Sequence, residues 1–179
     1  MRWALLFLAL SMGALRAPLP PLVPLPGGHF SWSDVRTPLV VVVFLAPDCP
    51  FCQRYSVALN ALQTQYQGAV TFVGVFPGRG YTDRDYAGYR DKYHIRFSLA
   101  KDPDKLLALR LHAAVTPEAF LLDARHAILY HGAIDDMAAG LGKTRLQPTQ
   151  PYLQLAIADA QAGRPVGIDY REAVGCWIN

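Results

Sequence analysis

Charge is scarce in this chain of 179 residues: charged side chains make up 17% of it, against 52% hydrophobic. That balance excludes a solvated, disordered chain and fits one globular domain with a proper core. Seventeen basic residues face fourteen acidic ones, and two of the basic ones, Arg2 and Arg16, fall in the leader-like segment described below. Without that segment the excess of three falls to one, which leaves no electrostatic footprint for nucleic acid. Cysteine is scarce too: Cys49, Cys52 and Cys176 are the whole supply. A zinc site built on Cys49 and Cys52 would need a second ligand pair. There is no second cysteine pair, and the histidines at 29, 94, 112, 126 and 131 form no finger-like pair with the first. No internal repeat is present.

The N-terminus is patterned differently. Arg2, an apolar segment at 3–10 and then Ser11, Met12, Gly13 and Ala14 follow the plan of a secretory signal. The segment is short for a spanning helix. Residues 1–17 therefore read as a signal peptide, with an uncleaved N-terminal anchor as the alternative, and the protein as exported, periplasmic or secreted. Export would place the cysteines where disulfides persist. Residues 18–28 hold five prolines and read as an extended linker. Residues 29–165 read as the folded domain, and residues 166–179 as a tail that carries Cys176.

The chemistry concentrates at residues 45–52. An apolar run over 40–45 reads as a buried strand. Tyr55, Leu59, Leu62 and Tyr66 then recur at helical spacing, so Cys49 falls where a strand ends and a helix begins. Pro50 suits the first helical position, where an amide would have no partner. The positive end of the helix favours a thiolate, and the two-residue spacing brings Cys52 within reach of a disulfide. Asp48 opposes the helix, because a carboxylate beside Cys49 raises its pKa.

Further along, residues 70–76 read as a second core strand. Thr82 or Asp83 caps a helix over about 85–93, and its tyrosines read as packing. A short strand over 97–100 and a helix opened by residues 102–104 follow. Residues 119–122 and 127–131 read as a hairpin turning at 123–126, with Pro117 just before it. Residues 132–148 read as a surface loop in which Asp135 and Asp136 serve the turn. Pro151 starts a last helix, stopped by Gly163 and Pro165.

This order resembles the thioredoxin-like redoxin superfamily, and within it the exported branch related to alkyl hydroperoxide reductase/thiol-specific antioxidant proteins and periplasmic thiol–disulfide oxidoreductases. Residues 44–52, 116–123 and 130–136 carry the resemblance, and residues 174–178 look like the tail of a bacterial redoxin-domain subgroup. The resemblance implies an α/β, thioredoxin-like fold with a central mixed sheet and helices on both faces. It implies Cys49 as nucleophile, Cys52 as resolving thiol and Pro117 in cis beside them, with Thr116 free to pair with substrate backbone.

The activity expected is thiol–disulfide exchange with protein or small-molecule disulfides and dithiols, reset by an upstream redox partner, with no cofactor and no metal. Two alternatives stand. A thiol peroxidase would usually place Thr or Ser three residues before the attacking cysteine and Pro seven before; Ala46 and Val42 occupy those places before Cys49. A Cu(I) chaperone would use Cys49, Cys52 and a histidine such as His112 or His131. Cys176 reads either as a packed tail cysteine or as a third redox thiol. In the second case Gly175 would let the backbone pass close to another element, and Cys49 would be the partner, as the more exposed of the pair.

Overall fold

The central strand of the protein is buried on both faces, and the rest of the molecule is layered around it. The structure is a computed structural model and describes residues 18–140 and 143–178. In chain order the strands are β1 (Val23–Pro24), β2 (Leu39–Phe44), β3 (Val70–Pro77), β4 (Ser98–Asp102), β5 (Val115–Thr116), β6 (Glu118–Asp123), β7 (Ile128–Gly132), β8 (Ala138–Gly140), β9 (Lys143–Thr144), β10 (Tyr170–Arg171) and β11 (Cys176–Trp177). The helices are α1 (Pro50–Gln65), α2 (Asp83–Lys92), α3 (Leu106–Leu111) and α4 (Tyr152–Gln161). Seven strands form one sheet in the order β1-β4-β3-β2-β6-β7-β10. The β2/β3, β3/β4 and β7/β10 pairs are parallel, and the β1/β4, β2/β6 and β6/β7 pairs antiparallel.

The sheet is mixed and both its faces are covered, as the α/β reading expects. Side chains alternate along β2, so Val41, Val43 and Leu45 enter one core layer while Val40, Val42 and Phe44 enter the other. Helices α1, α2 and α4 cover the first face through Leu59, Tyr89 and Leu153. Helix α3 covers the second through Leu107 and Leu111. Strand β2 is an unbroken apolar run because neither of its faces meets water.

Both ends of the described chain belong to this body. Residues 18–28 do not form a free linker. Leu19 and Leu25 are buried, Val23–Pro24 pairs with the edge of β4, and the Trp32 indole donates to the Pro20 carbonyl. Prolines sit comfortably on that edge, where no ladder amide is required of them. A short 3-10 turn over Trp32–Asp34 follows, with Ser31 at its cap. Residues 166–178 are not a loose tail either: they add β10 beside β7 and then β11 beside β5. The glycine-rich loop contains the small β8/β9 hairpin. Asp135 and Asp136 serve local turns: Asp135 accepts from the Tyr55 hydroxyl at 2.6 Å and from the Met137 amide, and Asp136 accepts from Thr149. The leader reading concerns residues 1–17, which lie outside the described residues. No helix among the described residues is long and apolar enough to cross a membrane.

Candidate active site

Strand β2 runs out at Phe44, and Leu45 adds one more bond, its amide donating to Val75. The chain then turns through residues 46–48 and enters α1 with Cys49 as the N-cap and Pro50 in the first turn. The Cys49 side chain makes no capping bond to its own helix. Its thiol lies instead against the Thr116 carbonyl, with sulfur and oxygen 3.1 Å apart. Cys52, one turn on, is fully buried and accepts from the Ala46 amide at 3.3 Å. Thr116–Pro117 is a cis peptide bond, as the resemblance implies. All three cysteines are free thiols.

Cys176 stands against the same sulfur. Strand β11 lies antiparallel on β5, with Cys176 opposite Thr116 and Trp177 opposite Val115, and the Ile178 amide donates to the Ala114 carbonyl. The Thr116 hydroxyl reaches the Cys176 carbonyl at 3.4 Å. The approach depends on Gly175. A β-carbon there would lie 2.2 Å from the Thr116 carbonyl oxygen, far inside contact distance. The backbone edge of Thr116, expected to be open to substrate, is therefore taken by the protein's own C-terminal strand. Cys49, expected to be the exposed member of its pair, is for the same reason only 1% exposed.

The electrostatics follow from this cluster. The Cys49 thiol is pulled down from 9.0 to about 5. A hydrogen bond from the Cys52 thiol does most, against the cost of burial; the Cys176 thiol and the amides of Cys52 and Cys176 add to it. Burial pushes Cys52 well up, and the Cys49 charge beside it pushes further. Burial, then Cys49, raises Cys176 to about 12. One thiolate is thus shared by three sulfurs and resides on Cys49. Asp48 does not prevent this. Its carboxylate accepts a hydrogen bond from the Tyr81 hydroxyl, and the thiol donors outweigh it.

Other residues hold the site. The hydroxyls of Ser56 and Tyr89 both reach the Cys52 carbonyl, at 3.0 and 3.1 Å, and lie 2.9 Å from each other. Glu118, buried just after Pro117, accepts from the Ala114 and Val115 amides and so shapes the loop that presents Thr116. From the sequence Tyr89 reads as packing alone, and nothing there singles out Tyr81 as the partner of Asp48 or Ser56 as a partner of Cys52. A cleft of about 540 Å³ opens over the sulfurs, lined by Cys49, Asp48, Arg79, Tyr81, Thr116, Cys176 and Trp177 among others. His112 closes α3, and His131 stacks on Phe120 beside Glu118; neither lines the cleft. Among the described residues no group of three His, Cys, Asp or Glu is arranged to hold a metal ion.

The sequence profile of the AhpC/TSA family matches residues 16–131. A hypothetical protein from Sinorhizobium meliloti has a similar structure, with a TM-score of 0.78, 27% identity and 88% of each chain covered. An uncharacterized conserved protein from Geobacillus kaustophilus matches with a TM-score of 0.78 and 22% identity, over 94% of this chain and 93% of that one. A secreted disulfide oxidoreductase of Mycobacterium tuberculosis matches with a TM-score of 0.56 and 21% identity, over 77% of this chain and 93% of its own. No curated protein matches the chain. At this identity the last two likenesses speak for the thioredoxin-like fold.

Proposed function

The chain belongs to the AhpC/TSA family, through a match that takes in Cys49, Cys52 and Thr116–Pro117, and from that premise we propose that it is a thiol–disulfide oxidoreductase working through Cys49 and Cys52. The observation that carries the reading is the low thiolate of Cys49 at the start of α1, with the buried Cys52 thiol one turn away. The Cys49 thiolate attacks one sulfur of a substrate disulfide and expels the other as a thiolate. Cys52 then attacks Cys49, releases the second substrate thiol and leaves a Cys49–Cys52 disulfide, which an external dithiol reduces. Two electrons pass from the pair to the substrate. Thr116 and Pro117 border the sulfurs, and the step needs no metal or organic cofactor. Substrates are protein or small-molecule disulfides and dithiols, and the redox partner is a dithiol protein. Disulfide exchange suits an exported protein, which is the compartment we assign on the strength of residues 1–17.

Turnover of a peptide disulfide with dithiothreitol as reductant tests the reading. Cys49→Ser should abolish it, and removing Cys52 together with Cys176 (Cys52→Ser/Cys176→Ser) should trap a mixed disulfide on Cys49. Trapping by Cys49→Ser instead would reverse the two roles. Family membership keeps a thiol peroxidase as the second reading. Ala46, three residues before Cys49, brings an amide to Cys52 and no hydroxyl, which speaks against it. Hydrogen peroxide consumption that outpaces disulfide turnover would favour it.

A further inference from the structure

Cys49 has two thiol neighbours, and the proposed cycle uses only one. Cys52 is fully buried and lies outside the cleft lining. Cys176 is half-buried and lines the cleft beside Cys49. It is placed there by construction: β11 is locked to β5 by pairing at Thr116 and Val115, and Gly175 permits the contact. A cysteine that merely filled space would need neither the strand register nor the glycine.

We propose that Cys176 is a second resolving thiol for Cys49, carried on a C-terminal strand that occupies the Thr116 edge beside the reacting sulfurs. The inference rests on the oxidoreductase reading. In the mixed disulfide between Cys49 and a substrate thiol, the Cys176 thiolate attacks the Cys49 sulfur. The Cys49–Cys176 bond forms, the bond to substrate breaks, and the substrate leaves as a thiolate that takes up the proton Cys176 gave to solvent. Cys52 can then attack Cys49 in turn, freeing Cys176 and leaving the Cys49–Cys52 disulfide. That last exchange moves a disulfide within the protein without net oxidation. While Cys49 is a thiolate, burial first, and then the hydrogen bond to Cys49 and its charge, hold the proton on Cys176. Once Cys49 is in a mixed disulfide that charge is gone, so Cys176 ionises more readily when it is needed. The Cys49–Cys176 disulfide faces the cleft, where an external dithiol can reach it, whereas Cys52, in the first turn of α1, is fully buried and does not line the cleft.

The test uses the full chain with Cys52→Ser, treated with glutathione disulfide, acid-quenched and mapped by non-reducing peptide mass spectrometry. The expected result is a Cys49–Cys176 cross-linked peptide and release of glutathione. The Cys52→Ser/Cys176→Ser double variant should then keep its Cys49–glutathione adduct at least ten times longer. Gly175→Val in the Cys52→Ser background lifts the strand with the Cys49 and Cys176 thiols retained, and should lengthen the adduct lifetime in the same way; thermal unfolding confirms that each variant is folded. An adduct that persists equally in Cys52→Ser and in the double variant overturns the inference and leaves Cys49 as nucleophile. No adduct on Cys49 in any variant overturns the oxidoreductase reading, and this inference with it.

Discussion

At Cys49 several hydrogen bonds from two other cysteines compete with burial for one proton, and the donors prevail, bringing the thiol to about 5. Its stabilising effect on the reduced protein is complete above the unfolded value of 9.0. It fades as pH falls and is lost below about 5. Cys176 works in the opposite direction. Its folded value is raised to about 12, so its contribution is complete below the ordinary thiol range and is lost as pH climbs towards about 12. Iodoacetamide alkylation of Cys49 against pH should therefore show a midpoint near 5. Cys176→Ala, which removes one donor, should move that midpoint upward, while Cys176→Ser should move it less. A wild-type midpoint near 9 would contradict the account of the thiolate. Residues 49, 52 and 117 were legible because their meaning lies in short spacing: two residues between cysteines, and a proline ahead of a strand. The hold of Tyr81 on Asp48 and the Ser56–Tyr89 pair on Cys52 were not, since both join side chains 33 residues apart. Only the fold makes them neighbours.

At the scale of elements, both ends of the described chain add short strands to strand edges, and at the C-terminal end glycines permit the close approach. Gly132 lets β10 lie on β7; its φ is +119°, and a β-carbon there would sit 1.7 Å from the Arg171 carbonyl oxygen. Gly175 does the same for β11 over Thr116. Gly132→Ala should therefore cost more stability than an ordinary surface change, about 1–3 kcal/mol, the range for a strained backbone position. At the other end, Leu25→Ala should cost about 2–5 kcal/mol as a buried large-to-small change. Thermal or denaturant unfolding checks both, and a Leu25→Ala protein as stable as wild type would mean that the proline-rich segment does not pack. Strands β2, β3 and β6 could be read from apolar runs, α1 from helical spacing, and α2 to α4 from their start and stop signals. Strands β1, β10 and β11 could not, because two residues carry no period and because proline at 20, 21, 24 and 26 masked Leu19 and Leu25. The capping box of Thr82 with Asp85 explains why α2 begins where local sequence placed it.

For the molecule as a whole, the consequence of the thiolate is thermodynamic. Holding the proton off Cys49 stabilises the dithiol over the disulfide. At pH 7, lowering a thiol from about 9 to about 5 favours the reduced form about 100-fold, or about 60 mV towards a more oxidising couple. Removing a donor should take part of that away, so Cys176→Ala should have the more reducing potential. The mixed sheet was legible in the order of its elements. That the C-terminal strand closes over Cys49 and Thr116 was not, because no local pattern says where a tail returns; only the odd cysteine and the glycine before it pointed there. The central claim is that Cys49 and Cys52 are one reversible redox couple. Equilibrating the full chain across a series of glutathione redox buffers, quenching with acid and mapping the cysteines measures this directly. The account predicts a reversible two-electron transition in which Cys49 loses its free thiol together with Cys52 and recovers it under reduction. A Cys49 that stays free while Cys52 does, at every buffer composition, would contradict it.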